Sequence, residues 1–244
     1  MKTINSAAIS QDNEATMPLM DHLKEFRLRL IKSLAATAVG MAFSYYFIDE
    51  IMKILTTPAG QLYFTKPAEA FLIYIKVALI AGAIAASPLI FYEFWSFLIP
   101  AFTRNERSLL MTLVPLSVLL FISGILFAYL LILPQGLHFF LTFTNSTVLQ
   151  PLLSLESYLD FVLALVVPFG FIFEIPLLLI ALAYMGLVGS DMLKKGRRFV
   201  IFIAFVVAAI VTPTPDVFSQ TSLAVPMIAL YELSRLIIRY GLKR

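Results

Sequence analysis

The sequence predicts an all-α integral membrane protein: six transmembrane helices, N-in/C-in, with the last two spans short. Three observations carry this. Of 244 residues, 60% are hydrophobic and only 14% are charged, and the mean hydropathy is +0.91, against about 45–50% apolar usage in soluble domains. The apolar residues gather into long runs separated by short polar turns. Alternate turns are unequally basic: fifteen Lys and Arg fall on one side and two, Lys53 and Lys66, on the other. Positive residues collect on the cytoplasmic face, which sets N-terminus in and C-terminus in.

The elements follow in order. Residues 1–16 are polar, lack the apolar stretch of a secretory signal, and read as a flexible cytoplasmic arm. Residues 17–240 form the six-helix transmembrane domain, and 241–244 a cytoplasmic tail. Span one is 28–48, with Arg29 and Lys32 able to reach back to the interface. A proline-bearing connection follows; it contains an amphipathic piece at 51–55 and a turn at Pro58. Span two, 71–99, is long enough to tilt or bend, with Pro88 as its kink. Span three is 109–133 and contains Pro115; residues 134–157 read as a long connection poor in charge. Span four, 158–187, carries Pro168, Glu174 and Pro176. Span five, 199–211, is thirteen residues, about 20 Å as a helix, against a hydrocarbon core of about 30 Å. Span six, 222–238, is little longer and is interrupted by Pro226. A short pair either thins the bilayer or is simply a hairpin that stops below one surface.

The charged collar before span one holds Asp21, Lys24, Glu25, Arg27 and Arg29 within nine positions. On a helix His22, Glu25 and Arg29 share a face. The plain reading is an orientation signal; the functional one is a carboxylate site for a cationic ligand. Glu106, in the turn 103–107, lies on the same side. Each carboxylate has an arginine within a turn and could be a weak surface pair. Brought together, they would form an anionic pocket suited to guanidinium, which binds carboxylate in a fork that lysine cannot reproduce. Glu174 lies near mid-span, where an ionisable group is costly and therefore a functional candidate; the alternative is a satisfied polar contact within the bundle. Asp216 and Ser219 are placed to cap the final helix. No cysteine is present, and His22 and His138 offer no metal-ligand spacing. No nucleotide loop, nucleophile elbow or zinc-protease motif occurs, which disfavours an enzyme and any cofactor.

Four stretches carry a resemblance. The collar His22-Leu23-x-Glu25-x-Arg27-x-Arg29, the run Phe94-Trp95-x-Phe97-x-x-Pro100 leading to Glu106-Arg107, Phe173-Glu174-x-Pro176, and Thr214-Pro215-Asp216-Val217-Phe218-Ser219-Gln220 occur in order. Together, over about residues 17–240, they resemble the TatC family, the multispanning signal-peptide receptor subunit of the twin-arginine protein translocase. Phe26 stands where the family often has leucine. The resemblance implies a receptor rather than an enzyme, in a bacterial cytoplasmic membrane. Signal peptides with paired arginines would dock against Glu25 and Glu106, with Phe97 near the site, Arg27 needed for recognition, and the collar's His22 beside them. Single-span TatA and TatB subunits would pack near Glu174 and the last spans, further TatC copies would join the assembly, and the proton-motive force would drive export of folded proteins. Neither ATP nor nucleic acid is implied. The alternative is a proton-coupled small-solute transporter built on Glu174. It requires inverted repeats and a matching polar site in the other half, and neither is evident.

Overall fold

A computed structural model describes residues 17–64, 66–98, 110–142, 152–212 and 216–242, and every regular element among them is a helix. The arm at 1–16, the turn holding Pro100 and Glu106, and Thr214-Pro215 lie outside the described residues. Helix α1 (Met17–Tyr46) begins with the collar. It meets the amphipathic α2 (Ile48–Thr56) at a bend of 79°. Ile48 and Met52 bury one face of α2, and its last carbonyls accept from Tyr hydroxyls: Tyr129 Oη to Ile54 O at 2.5 Å and Tyr158 Oη to Leu55 O at 2.7 Å. These bonds satisfy acceptors that a helix end leaves without internal donors. Pro58 lies in the turn after α2, just before Gly60, whose φ of 74° suits a residue without a Cβ.

Helix α3 (Pro67–Ala85) and α4 (Ser87–Leu98) together make the second apolar stretch, broken at Ala86 just ahead of Pro88. The third stretch departs from expectation. Helix α5 (Leu110–Phe127) passes through Pro115, opens into a π turn (Ala128–Ile132), and continues as α6 (Leu133–Thr142). The helix therefore does not stop before Pro134. The π turn widens the backbone where a regular α-helix would drive the proline ring against the Leu130 carbonyl. Helices α7 (Leu155–Ile172) and α8 (Ile175–Tyr184) break at Phe173–Glu174, ahead of Pro176.

The last two helices are longer than their apolar runs. Helix α9 (Ser190–Val211) has 22 residues because the basic stretch ahead of Phe199 is itself helical. Helix α10 (Val217–Gly241) has 25 residues and continues through Pro226. Among the described residues four helices are long and apolar enough to cross a membrane, and a fifth if the bent pair α1–α2 counts as one span. The chain is a multi-pass membrane protein.

Helix α1 packs on α3, α5 on α7, α8 on α10 and α9 on α10. The main core surrounds α7, where Leu159, Val162, Leu165 and Phe169 are buried. A second cluster joins α4, α5 and α8 through Phe91, Trp95, Phe121, Leu177 and Ala181. Two glycines set the α1–α3 approach: a Cβ on Gly82 would meet the Met41 backbone, and one on Gly40 the Gly82 carbonyl. Such small-residue contacts are how helices associate where lipid removes the hydrophobic drive between them. Many large apolar side chains elsewhere, including Phe43, Leu119, Phe202 and Ile210, face outward, as a lipid-facing surface requires.

At the end opposite the collar, Tyr63 exchanges backbone hydrogen bonds with Leu153 (3.1 Å) and Leu155 (2.8 Å). Glu69, buried at 4% exposure, accepts from the backbone N–H of Lys66 and Glu156 and from the Ser154 hydroxyl. One carboxylate thus fastens the start of α3 to the start of α7.

Candidate functional site

The N-terminal part of α1 meets the C-terminal part of α4, and the collar's charges are organised there. Arg29 Nε and Nη2 both donate to Glu25 Oε1, at 3.1 and 2.7 Å. Its remaining terminal nitrogen, Nη1, donates to Glu93 Oε2 at 2.8 Å. Lys32 Nζ stands 3.4 Å from Glu93 Oε1. The pair Glu25–Arg29 follows directly from i, i+4 spacing on a helix. The third member does not. Glu93 comes from the next stretch of chain, 64 residues away, and its side chain is only 7% exposed, whereas that of Glu25 is 36% exposed. A buried carboxylate is retained only when paired and hydrogen-bonded, and Arg29 supplies the pairing. Glu25 Oε2 makes no hydrogen bond among the described residues.

Aromatic rings wall the site. His22 stacks on Phe97 with ring centroids 4.3 Å apart, and Phe26 tilts against the same ring at 5.4 Å. Phe26, Phe94 and Phe97 with Arg29 and Glu93 line a cavity of about 200 Å³. Of the residues expected to act here, the fold brings together Glu25, His22 and Phe97. Arg27 points away, exposed and with no ion pair among the described residues. Glu106 lies outside the described residues. Glu93 was missed because its charge sits inside an apolar run; an ionisable residue in a membrane stretch is a signal in its own right.

A second polar group lies deeper, among α4, α5 and the α7–α8 break. Trp95 Nε1 donates to Ser117 Oγ at 2.7 Å, with both residues buried. The Ser117 hydroxyl also interacts with the Glu174 carboxyl group. Glu174 Oε1 is buried and, among the described residues, has no hydrogen-bond partner. Indole is a donor only, so Ser117 accepts from Trp95 and has its own proton to give to Glu174. Asp160, on α7, is not part of this group: it pairs with Lys76 of α3 at 2.6 Å. Asp216 accepts from Ser219 N at 2.7 Å and caps α10. Among the described residues no group of His, Cys, Asp and Glu could hold a metal ion.

Comparison with known proteins adds independent findings. Residues 21–226 match the family described as Sec-independent protein translocase protein (TatC). The chain is 42% identical over 228 residues to the "Sec-independent protein translocase protein TatC" of Desulforapulum autotrophicum, covering 91% of this chain and 84% of that one. It is 40% identical to the protein of the same name from Aquifex aeolicus, covering 89% and 93%. Against the Escherichia coli protein the identity is 36%, covering 93% and 90%. A solved structure described as "Crystal Structure of Twin Arginine Translocase Receptor- TatC" superposes with a TM-score of 0.81 at 38% identity, over 91% of this chain and 99% of that one.

Proposed function

The chain belongs to the TatC family and is a core subunit of the twin-arginine translocase, not an enzyme; from that premise we propose that it receives twin-arginine signal peptides at the α1–α4 site. The supporting observation is chemical. Glu25 already accepts two guanidinium N–H bonds from Arg29, both on one oxygen, and its second oxygen has no hydrogen-bond partner among the described residues. The carboxylate therefore stands in a setting matched to arginine's planar fork, at the N-terminal end of α1 where a cytoplasmic peptide would arrive. Glu106 is the second carboxylate of the clamp, Phe97 and His22 its stacked wall, and Arg27 an exposed cation available to the peptide's acceptors. Alanine at Glu25 or Glu106 is expected to weaken binding of a fluorescent twin-arginine peptide at least tenfold. Unchanged binding with both positions altered would overturn the assignment.

In this reading the chain crosses the bacterial cytoplasmic membrane six times: by α1, α3–α4, α5–α6, α7–α8, α9 and α10. The basic residues of the collar, of the start of α9 and of the end of α10 support a cytoplasmic side for both termini. Of the last two spans, both expected to be short, α10 is long and apolar enough to cross and α9 keeps a short apolar part, which supports local thinning of the bilayer. Single-span TatA and TatB subunits pack against the region of Glu174, further copies of the chain join the assembly, and the proton-motive force drives passage of the folded cargo. The Glu174 oxygen supports this: a buried acceptor without a donor among the described residues is suited to a polar group from a neighbouring helix. A photocrosslinker at position 174 is expected to capture single-span subunits in the active complex, and failure to do so would remove this part of the proposal.

A further inference from the structure

Arg29 poses a problem for any receptor built on Glu25. It is a guanidinium already seated on the carboxylate that a peptide arginine must reach, held by two hydrogen bonds. A cationic ligand therefore competes with a group tethered four residues away, which is always at high local concentration. Glu93 changes that competition. It is buried, approaches from α4, and takes the one Arg29 nitrogen that Glu25 does not, at 2.8 Å. It also faces Lys32 at 3.4 Å. The local charges then balance, with Glu25 and Glu93 facing Arg29 and Lys32.

We propose that Glu93 is the residue that makes Glu25 available: it shares Arg29 with Glu25 in the empty site and retains it when a peptide arginine takes Glu25. This rests on the reading of Glu25 as a peptide-binding carboxylate. Two consequences follow from the geometry. Without Glu93, Glu25 is the one partner left to Arg29 among the described residues, so the internal competitor tightens its hold. In addition, two cations then face one carboxylate, and the site repels the incoming charge. Both effects act through Arg29, so removing Arg29 cancels both. Glu93 is thus a positioning residue that sets affinity without touching the ligand. It acts on arginine peptides through the same fork geometry that distinguishes arginine from lysine.

The test uses the full chain in nanodiscs and a fluorescent twin-arginine peptide. Glu93→Gln, which keeps the shape and removes the charge, is expected to weaken binding at least fivefold. Adding Arg29→Gln to that variant is expected to bring affinity back to within twofold of the unaltered chain. A damaged fold would not be repaired by losing a second polar contact, so rescue separates the proposed role from a structural one. Arg29→Lys alone keeps the charge but cannot fork across both carboxylates, and it is expected to tighten binding about threefold. Unchanged binding in Glu93→Gln, loss without rescue in the double variant, or unchanged or weaker binding in Arg29→Lys would each overturn the proposal. Glu25→Ala, run alongside, tests the underlying reading: if it binds normally, the peptide site itself is misplaced, whatever Glu93 does.

Discussion

At the residue scale, the molecule places few charges in apolar surroundings and gives each a defined neighbour. Arg29 lies between Glu25 and Glu93, Glu69 collects three donors, and Lys76 meets Asp160. Ser117 is the smallest of these devices, accepting from Trp95 and facing Glu174. Ser117→Ala removes one hydroxyl and leaves a buried indole N–H without an acceptor, at a cost of about 1–2 kcal/mol. A thermal melt of the purified protein in detergent should fall by a few degrees, and an unchanged melt would mean that the contact is not energetically coupled. The sequence legibly marked Glu25, because its arginine partner is four residues away on one helix. It also marked Glu174, because a carboxylate beside a proline in an apolar run is conspicuous. Glu93 was equally conspicuous by that standard, but its meaning was not local: only the meeting of α1 with α4 shows that it serves Arg29.

At the element scale, α4 is the piece shared by both polar groups. Glu93 turns towards α1, Trp95 is buried against α5 and α8, and Phe97 stacks on His22. The break at Ala86 frees this twelve-residue helix from the direction of α3 and lets it present these faces. Pro88 made that break legible in the sequence. Pro134 misled, because a proline followed by Gln135 and Gly136 at the end of an apolar run reads as a stop, and no residue pattern announces the π turn that accommodates it. The start of α9 misled for a different reason: Lys and Arg are good helix formers, so the helix begins nine residues ahead of its apolar part and ends at Val211 as expected. The α1–α3 contact gives a direct test of packing. Gly82→Val forces a side chain into the Met41 backbone and should cost about 3 kcal/mol or more. Gly196→Ala, inside α9, where an added Cβ would meet only the Tyr231 hydroxyl at an ordinary 3.8 Å, should not lower the melting temperature. Equal behaviour of the two variants would contradict the close approach. At the start of α10, Asp216→Ala should cost about 1 kcal/mol by loss of its cap, and Asp216→Asn should retain most of it.

At the scale of the whole molecule, family membership and the helical fold agree on a multi-pass translocase subunit. The absence of cysteine makes its topology directly measurable, since any introduced thiol is the sole target. A cysteine at position 20 or 240 should react with a membrane-impermeant maleimide only from the cytoplasmic side, and one at position 61 only from the opposite side. Reaction of positions 20 and 240 from opposite faces would contradict the six-span arrangement. The proposed α1–α4 site is expected to select arginine over lysine. Titrating the full chain in nanodiscs with a twin-arginine peptide and with the same peptide carrying two lysines checks this. At least tenfold tighter binding of the arginine peptide is expected, with loss of that preference in Glu25→Ala. Equal affinity for the two peptides would contradict it and reduce the collar to a signal for membrane orientation.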